Sequence, residues 1–156
     1  MTLLHLFRWF DNTGIGQGIR GSTYWFPAIE VAHLIGLTLL YGAVLVVDLR
    51  VLGFGLRRQP VARVAAQVTP FTIFAILIML ATGIPLFLSE ALKCYDNAAF
   101  WFKMGSLLVA MIFQFTVHRA VVASDKQPTM AMKVGACVSM LLWLSVGLGG
   151  RAIAFV

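Results

Sequence analysis

The chain has 156 residues, of which 60% are hydrophobic and 12% charged, with a formal charge of +6 and a mean hydropathy of +0.91. A water-soluble domain carries about a quarter charged residues, so this composition excludes water as the main solvent. The length suits a single domain of four spans, each needing roughly 20 apolar residues to cross the hydrocarbon. Lys and Arg cluster between apolar runs, where they set membrane topology, so the basic balance is not read as a nucleic-acid surface.

Residues 2–11 (TLLHLFRWFD) place Leu3, Leu6, Phe7 and Phe10 on one side at helical spacing, predicting a short amphipathic helix lying on the membrane interface. No seven-residue apolar run or small-residue cleavage site marks it as a cleavable leader. Residues 12–22 hold Gly14, Gly16, Gly18 and Gly21 and are expected to form a turn-rich linker. GIGQG there is not a dinucleotide fingerprint, because no strand precedes it.

The first span is predicted over about 25–49, with Pro27 in the first turn, where a missing N–H is tolerated, and Tyr24, Trp25 and Phe26 as an aromatic belt. A connector over 50–67 carries Arg50, Arg57, Arg58 and Arg63. The second span is predicted over about 70–93, with Gly83 and Pro85 favouring a kink. The third covers about 98–121 and opens with Phe100, Trp101 and Phe102; the fourth covers about 130–154. The fold class is therefore all-α, an integral membrane four-helix bundle preceded by an interfacial segment over 1–22. Cys94 and Cys137 fall at opposite ends of this bundle, too far apart for a disulfide.

Orientation follows from the basic residues. The connections between spans 1 and 2 and spans 3 and 4 carry Arg50, Arg57, Arg58, Arg63, Arg119, Lys126 and Lys133, against Arg8, Arg20, Lys93, Lys103 and Arg151 on the other side. Seven against five places those connections in the cytoplasm and both termini on the periplasmic side.

Ionisable residues inside a span are costly and mark function. On a helix of about 100° per residue, Glu30, His33, Tyr41 and Asp48 share one face of the first span. Lys103, Gln114 and His118 share a face of the third, with Met111 close by. Spans 1 and 3 run in the same direction and are expected to lie side by side. His33 to Asp48 and Lys103 to His118 each cover 15 residues, about 22 Å of helix at 1.5 Å per residue. Two polar layers result. The outer holds Glu30, His33 and Lys103, joined by Glu90 and Arg151; the inner holds Asp48 and His118, with Arg50 or Arg119. Glu30–Lys103 reads equally as an ion pair that locks packing, and Asp48–His118 as a hydrogen-bonded staple. Glu30-x-x-His33 is the spacing of carboxylate-bridged metal sites, which normally use it twice. A single histidine in a bundle can also ligate haem iron, and the alternative reading is a hydrogen-bonded core residue.

The stretches FPAIEVAHLIGLTLLYGAVLVVDLRVLG, TGIPLFLSEA, NAAFWFK and WLSVGLGGRAIAF resemble a family of small four-helix bacterial inner-membrane proteins of unknown function. There is a looser similarity to the membrane domain of copper-resistance D proteins and to di-haem four-helix cytochromes b. That looser similarity implies a membrane redox protein carrying haem b, with copper as a further cofactor and a redox protein or quinone as partner. His33 and His118 are then the ligands, with Glu30 as an added metal ligand, Met104 and Met111 as soft ligands and Tyr41 lining the path. Two bis-histidine haems cannot be built from one protomer, because His33 and His118 are the histidines within spans. The alternatives are a proton- or ion-coupled transporter using Glu30, His33 and Lys103 as a relay, or an assembly partner with no chemistry. Small residues Gly135, Ser139, Gly147, Gly149 and Gly150 on the fourth span favour close helix contacts, and a homo-oligomer is expected.

Overall fold

The computed structural model describes residues 2–56, 58–118, 120, 128–153 and 155. In chain order it has α1 (Leu3–Asp11), α2 (Gly14–Arg20), α3 (Trp25–Leu52), α4 (Val61–Ser89), α5 (Ala91–Asp96), α6 (Ala98–Phe113) continued by a π-helical turn (Gln114–His118), and α7 (Met130–Ala152). No strand occurs among the described residues. Four of these helices, α3, α4, α6 with its continuation to Thr116, and α7, are long and apolar enough to cross a membrane. The chain thus has the make-up of a multi-pass membrane protein. One end of the bundle carries the termini and α5 and is called the terminal end; the other carries the α3–α4 connection and is called the loop end.

α3 runs three residues past its expected end and stops at Gly53, whose φ of +90° is cheap only for glycine. The Gly53 N–H donates to the Arg50 carbonyl at 3.2 Å and the Phe54 N–H to the Leu49 carbonyl at 2.8 Å, the paired bonds of a Schellman stop. α4 begins at Val61, nine residues before its expected start, and encloses both Pro70 and Pro85. The tertiary contact overrides the proline: Val61 and Val51 are buried with Ala136 of α7 in a small loop-end cluster, so the turns before Pro70 are held by packing. Glu90, at φ −133° and ψ 28°, breaks the chain between α4 and α5, so the second span ends at Ser89 and not near Lys93. Asn97 then caps α6, its side-chain oxygen accepting from the Ala99 and Phe100 N–H groups at 2.9 and 3.2 Å.

α3 packs on α4 and on α7, and α6 packs on α7. The expected side-by-side placement of the first and third spans is corrected here. α3 and α6 lie across the bundle from each other, with α7 between them. All four long helices still meet at the centre, where Leu40, Val44, Ala75, Ala110, Trp143 and Val146 form the buried core. Close packing of this kind, more than expulsion of water, is what binds helices in lipid.

The N-terminal segment is a cap on the terminal end. α1 is amphipathic as expected, and part of its apolar face, Phe7 and Phe10, is docked on protein. Phe7 is 6% exposed and makes edge-on contacts with Phe87 and Tyr95 at centroid separations of 5.5 and 5.3 Å. Such pairs contribute about 0.5–1.5 kcal/mol each beyond area burial. Leu3, Leu6 and Trp9 stay exposed. The glycine-rich linker folds into α2, capped by the Thr13 hydroxyl, which accepts from the Gly16 N–H at 3.3 Å. Gly16 sits on the Leu88 carbonyl of α4 so tightly that a Cβ there would collide with it. Arg20 fastens the segment. Its Nε donates to the Ser89 carbonyl at 2.7 Å, and its guanidinium pairs with the buried Asp11 carboxylate at 2.7 Å.

Candidate functional site at the terminal half of the bundle

His33, on α3, faces α4. Its Nδ1 lies 2.8 Å from the Thr82 hydroxyl oxygen, and that hydroxyl donates to the Ile78 carbonyl at 2.6 Å. A hydroxyl has one proton. Since it is committed to Ile78, the Thr82 oxygen accepts from His33, so Nδ1 carries the imidazole proton and Nε2 presents a bare lone pair. Gly83 makes room for the ring: a Cβ there would stand 3.2 Å from His33 Cε1.

Lys103, on α6, crosses the Gly149–Gly150 pair of α7. A Cβ on Gly149 would stand 3.2 Å from Lys103 Cβ, and one on Gly150 would stand 3.4 Å from its Nζ. The two glycines therefore form the trough that holds this side chain. Lys103 has no carboxylate within ion-pair distance among the described residues; the ion pairs there are Arg20–Asp11 and Lys93–Glu90. Its charge reaches both His33 and Cys94. An ammonium in a bundle interior without a counter-ion is costly, and such groups face ligands or water-filled paths.

Cys94, buried in α5, is a free thiol, as is the exposed Cys137. Burial first, and the neighbouring Glu90 carboxylate second, push the Cys94 thiol up to about 11. It therefore stays protonated at neutral pH, unlike a metal-binding or nucleophilic thiolate.

The expected outer layer is only partly assembled. Glu30 is exposed near the start of α3, above the level at which the bundle covers that helix, and no Glu30–Lys103 ion pair forms. Glu90 pairs with Lys93 at the α4–α5 break. Arg151 is exposed, its guanidinium 4.5 Å from the Phe155 ring centre. No group of three His, Cys, Asp or Glu side chains converges among the described residues; of the expected His33, His118 and Glu30 metal set, Glu30 is exposed. The backbone of His118 ends the π-helical turn at the other end of α6, and its side chain lies outside the described residues.

The remaining expected residues fall elsewhere. Met111 packs on the central core. Tyr41 lies against α7, where a Cβ on Gly147 would stand 3.0 Å from its hydroxyl, and that hydroxyl is buried without a hydrogen-bond partner. Gln114 is buried toward the loop end and accepts from the Trp143 indole N–H at 3.4 Å. Asp48 is buried beside Ser139 of α7. Gly147, Gly149, Gly150 and Ser139, expected to favour self-association, are thus engaged inside the protomer. Sequence reasoning missed Thr82 and the role of the glycine pair. A lone threonine in an apolar span carries no signal until its histidine partner is known, and the glycine pair was legible only as generic close packing.

No curated protein and no solved structure matches the chain, and the wider likeness to copper-resistance D membrane domains and cytochromes b gains no support from these comparisons. A family model covers residues 6–156, nearly the whole chain, and the protein belongs to that family, a family of unknown function designated DUF6644.

Proposed function

We propose that the protein is a redox protein of the bacterial inner membrane, with both termini periplasmic, that holds haem b through His33. The carrying observation is the 2.8 Å contact between the Thr82 hydroxyl and His33 Nδ1, which suits the tautomer that leaves Nε2 to a ligand. Iron-binding histidines are held in this way, with the second ring nitrogen donating to a fixed acceptor. The Lys103 ammonium, without a carboxylate partner among the described residues, would offset the propionates of a haem, and the glycine trough sets its height in the bundle.

A haem would be held by His33 alone of the two expected histidines. His33 and His118 are separated by nearly the length of a span, since Lys103 to His118 alone is about 22 Å of helix. Copper is less well served, because no three donors converge among the described residues. When bound, the haem would supply one-electron chemistry. The chain's own part is to bind through His33, to orient the ring through Thr82, and to offset anionic charge through Lys103. The cap closes the same end of the bundle, limiting entry of water from that side.

The experiment is an absorbance spectrum of the full chain purified in detergent after addition of hemin. A Soret band is expected in the wild type and its loss in His33→Ala. Thr82→Val, which removes the acceptor for Nδ1, is expected to weaken retention by about 10-fold or more. A wild-type protein that stays colourless refutes the proposal.

A further inference from the structure

A second polar site lies toward the loop end, about 22 Å along α3 from His33, and plays no part in haem binding. Asp48 is 5% exposed. Its Oδ2 is enclosed and accepts no hydrogen bond. Ser139, itself buried on α7, is the side chain beside it. One turn farther along α7, Trp143 donates to Gln114, the residue at which α6 changes to a π-helical turn. Such turns recur at functional positions, where they re-aim side chains.

Among the described residues no charged group pairs with this carboxyl. On α3, Arg50 points elsewhere on the helix, its Nε donating to the Gln59 carbonyl at 2.8 Å. On α4, Arg63 is exposed, and on α7, Lys133 is exposed. α6 has no charged residue from Met104 to Val117. Neither ion pair among the described residues includes Asp48. A carboxylate enclosed without a cation costs several kcal/mol, whereas a carboxylic acid costs no more than a buried amide that lacks one bond.

Depth supplies the other half of the argument. Asp48 is four residues short of the end of α3, about 6 Å along the axis. The group is shut off from water yet stands one turn from the helix end, so a proton has a short way to travel while a charge finds no cation among the described residues.

We propose that Asp48 is a proton-exchanging site of the bundle, distinct from the His33 site. A proton arriving from water at the loop end forms the O–H bond of the carboxyl, leaving water behind. The reverse step returns the proton to water and leaves the carboxylate. Ser139, the side chain beside it, would donate to the carboxylate and accept from the acid. The chemical class of ligand is the proton itself, and an inward-facing acid of this kind is what proton relays in membranes are made of.

The test is infrared spectroscopy of the full chain in lipid vesicles, titrated from acid to alkaline pH. The wild type is expected to show a carboxylic C=O band that shifts in D2O and disappears as the pH rises. The band is absent in Asp48→Asn and displaced in frequency in Ser139→Ala. Should Asp48→Asn fail to fold, 13C-labelled aspartate in the wild type assigns the band without a substitution. An aspartate region with no protonated-acid band at any pH above that of ordinary exposed carboxyls overturns the proposal. So does a band that never titrates, because that acid is then a structural one.

Discussion

Arg20 ties the cap to the bundle at Ser89 and joins its two helices through Asp11, and its removal can be worked through. The guanidinium makes a 2.7 Å bond to the Ser89 carbonyl, a 2.7 Å bond to the Asp11 carboxylate and a 3.3 Å bond to the Asp11 carbonyl. Hydrogen bonds to charged groups contribute about 1.5–3 kcal/mol each. The Arg20 side chain is 42% exposed and that of Asp11 11%, so solvent screening reduces the sum. The enclosed Asp11 carboxylate left behind in Arg20→Ala raises it again. About 2 kcal/mol is the balance, which is roughly a 30-fold increase in the population of cap-open molecules at about 1.4 kcal/mol per tenfold. Amide hydrogen exchange of the full chain in detergent reads this directly. The amides of α1 and α2 should exchange roughly 30-fold faster, while those around Trp143 keep their rates. The reasoning is refuted if the cap amides speed up less than about threefold, or if the core amides accelerate equally, because Arg20 would then act on global stability.

Cys94 gives a pH dependence. Burial and Glu90 raise its thiol from 9.0 to about 11, so the unfolded chain releases this proton at lower pH than the folded one. The thiol's contribution is full below about pH 9 and is lost as pH rises through about 11. The thermal midpoint should fall over that window, and Cys94→Ala should flatten the fall. Gly149→Leu is expected to push α6 from α7, since even a Cβ there stands 3.1 Å from the Phe102 ring and 3.2 Å from Lys103 Cβ. A loss of about 1–3 kcal/mol, typical of overpacking, should lower the thermal midpoint, and an unchanged midpoint would show that the trough is wider than drawn.

The long helices were legible because apolar runs near 20 residues have few other fates. Their ends were less so. Pro70 reads as a start signal, and only the burial of Val61 and Val64 against the bundle carries α4 back past it. Gly14, Gly16 and Gly18 read as a linker, yet Gly16 is glycine because α2 presses against the Leu88 carbonyl. Wheel geometry found His33 and Lys103 but could not choose neighbours. Which helices touch depends on how small residues on one match bulk on another, and α7, the most glycine-rich span, takes the place between α3 and α6. Glu30 shows the limit of reading a stripe: it shares a wheel sector with Tyr41 and Asp48, but its level lies above the point where α3 is covered.

The distance in sequence between Arg20 and its anchor at Ser89, 69 residues, fixes an order of assembly. During synthesis, α1 and α2 emerge long before Phe87, Ser89, Leu92 and Tyr95 exist to receive them. Their apolar edge must wait in the lipid headgroups until the α3–α4 hairpin has been inserted, and the exposed Leu3, Leu6 and Trp9 suit that lodging. Seating of the first helix is thereby a late event in biogenesis, one that reports completion of the hairpin beneath it.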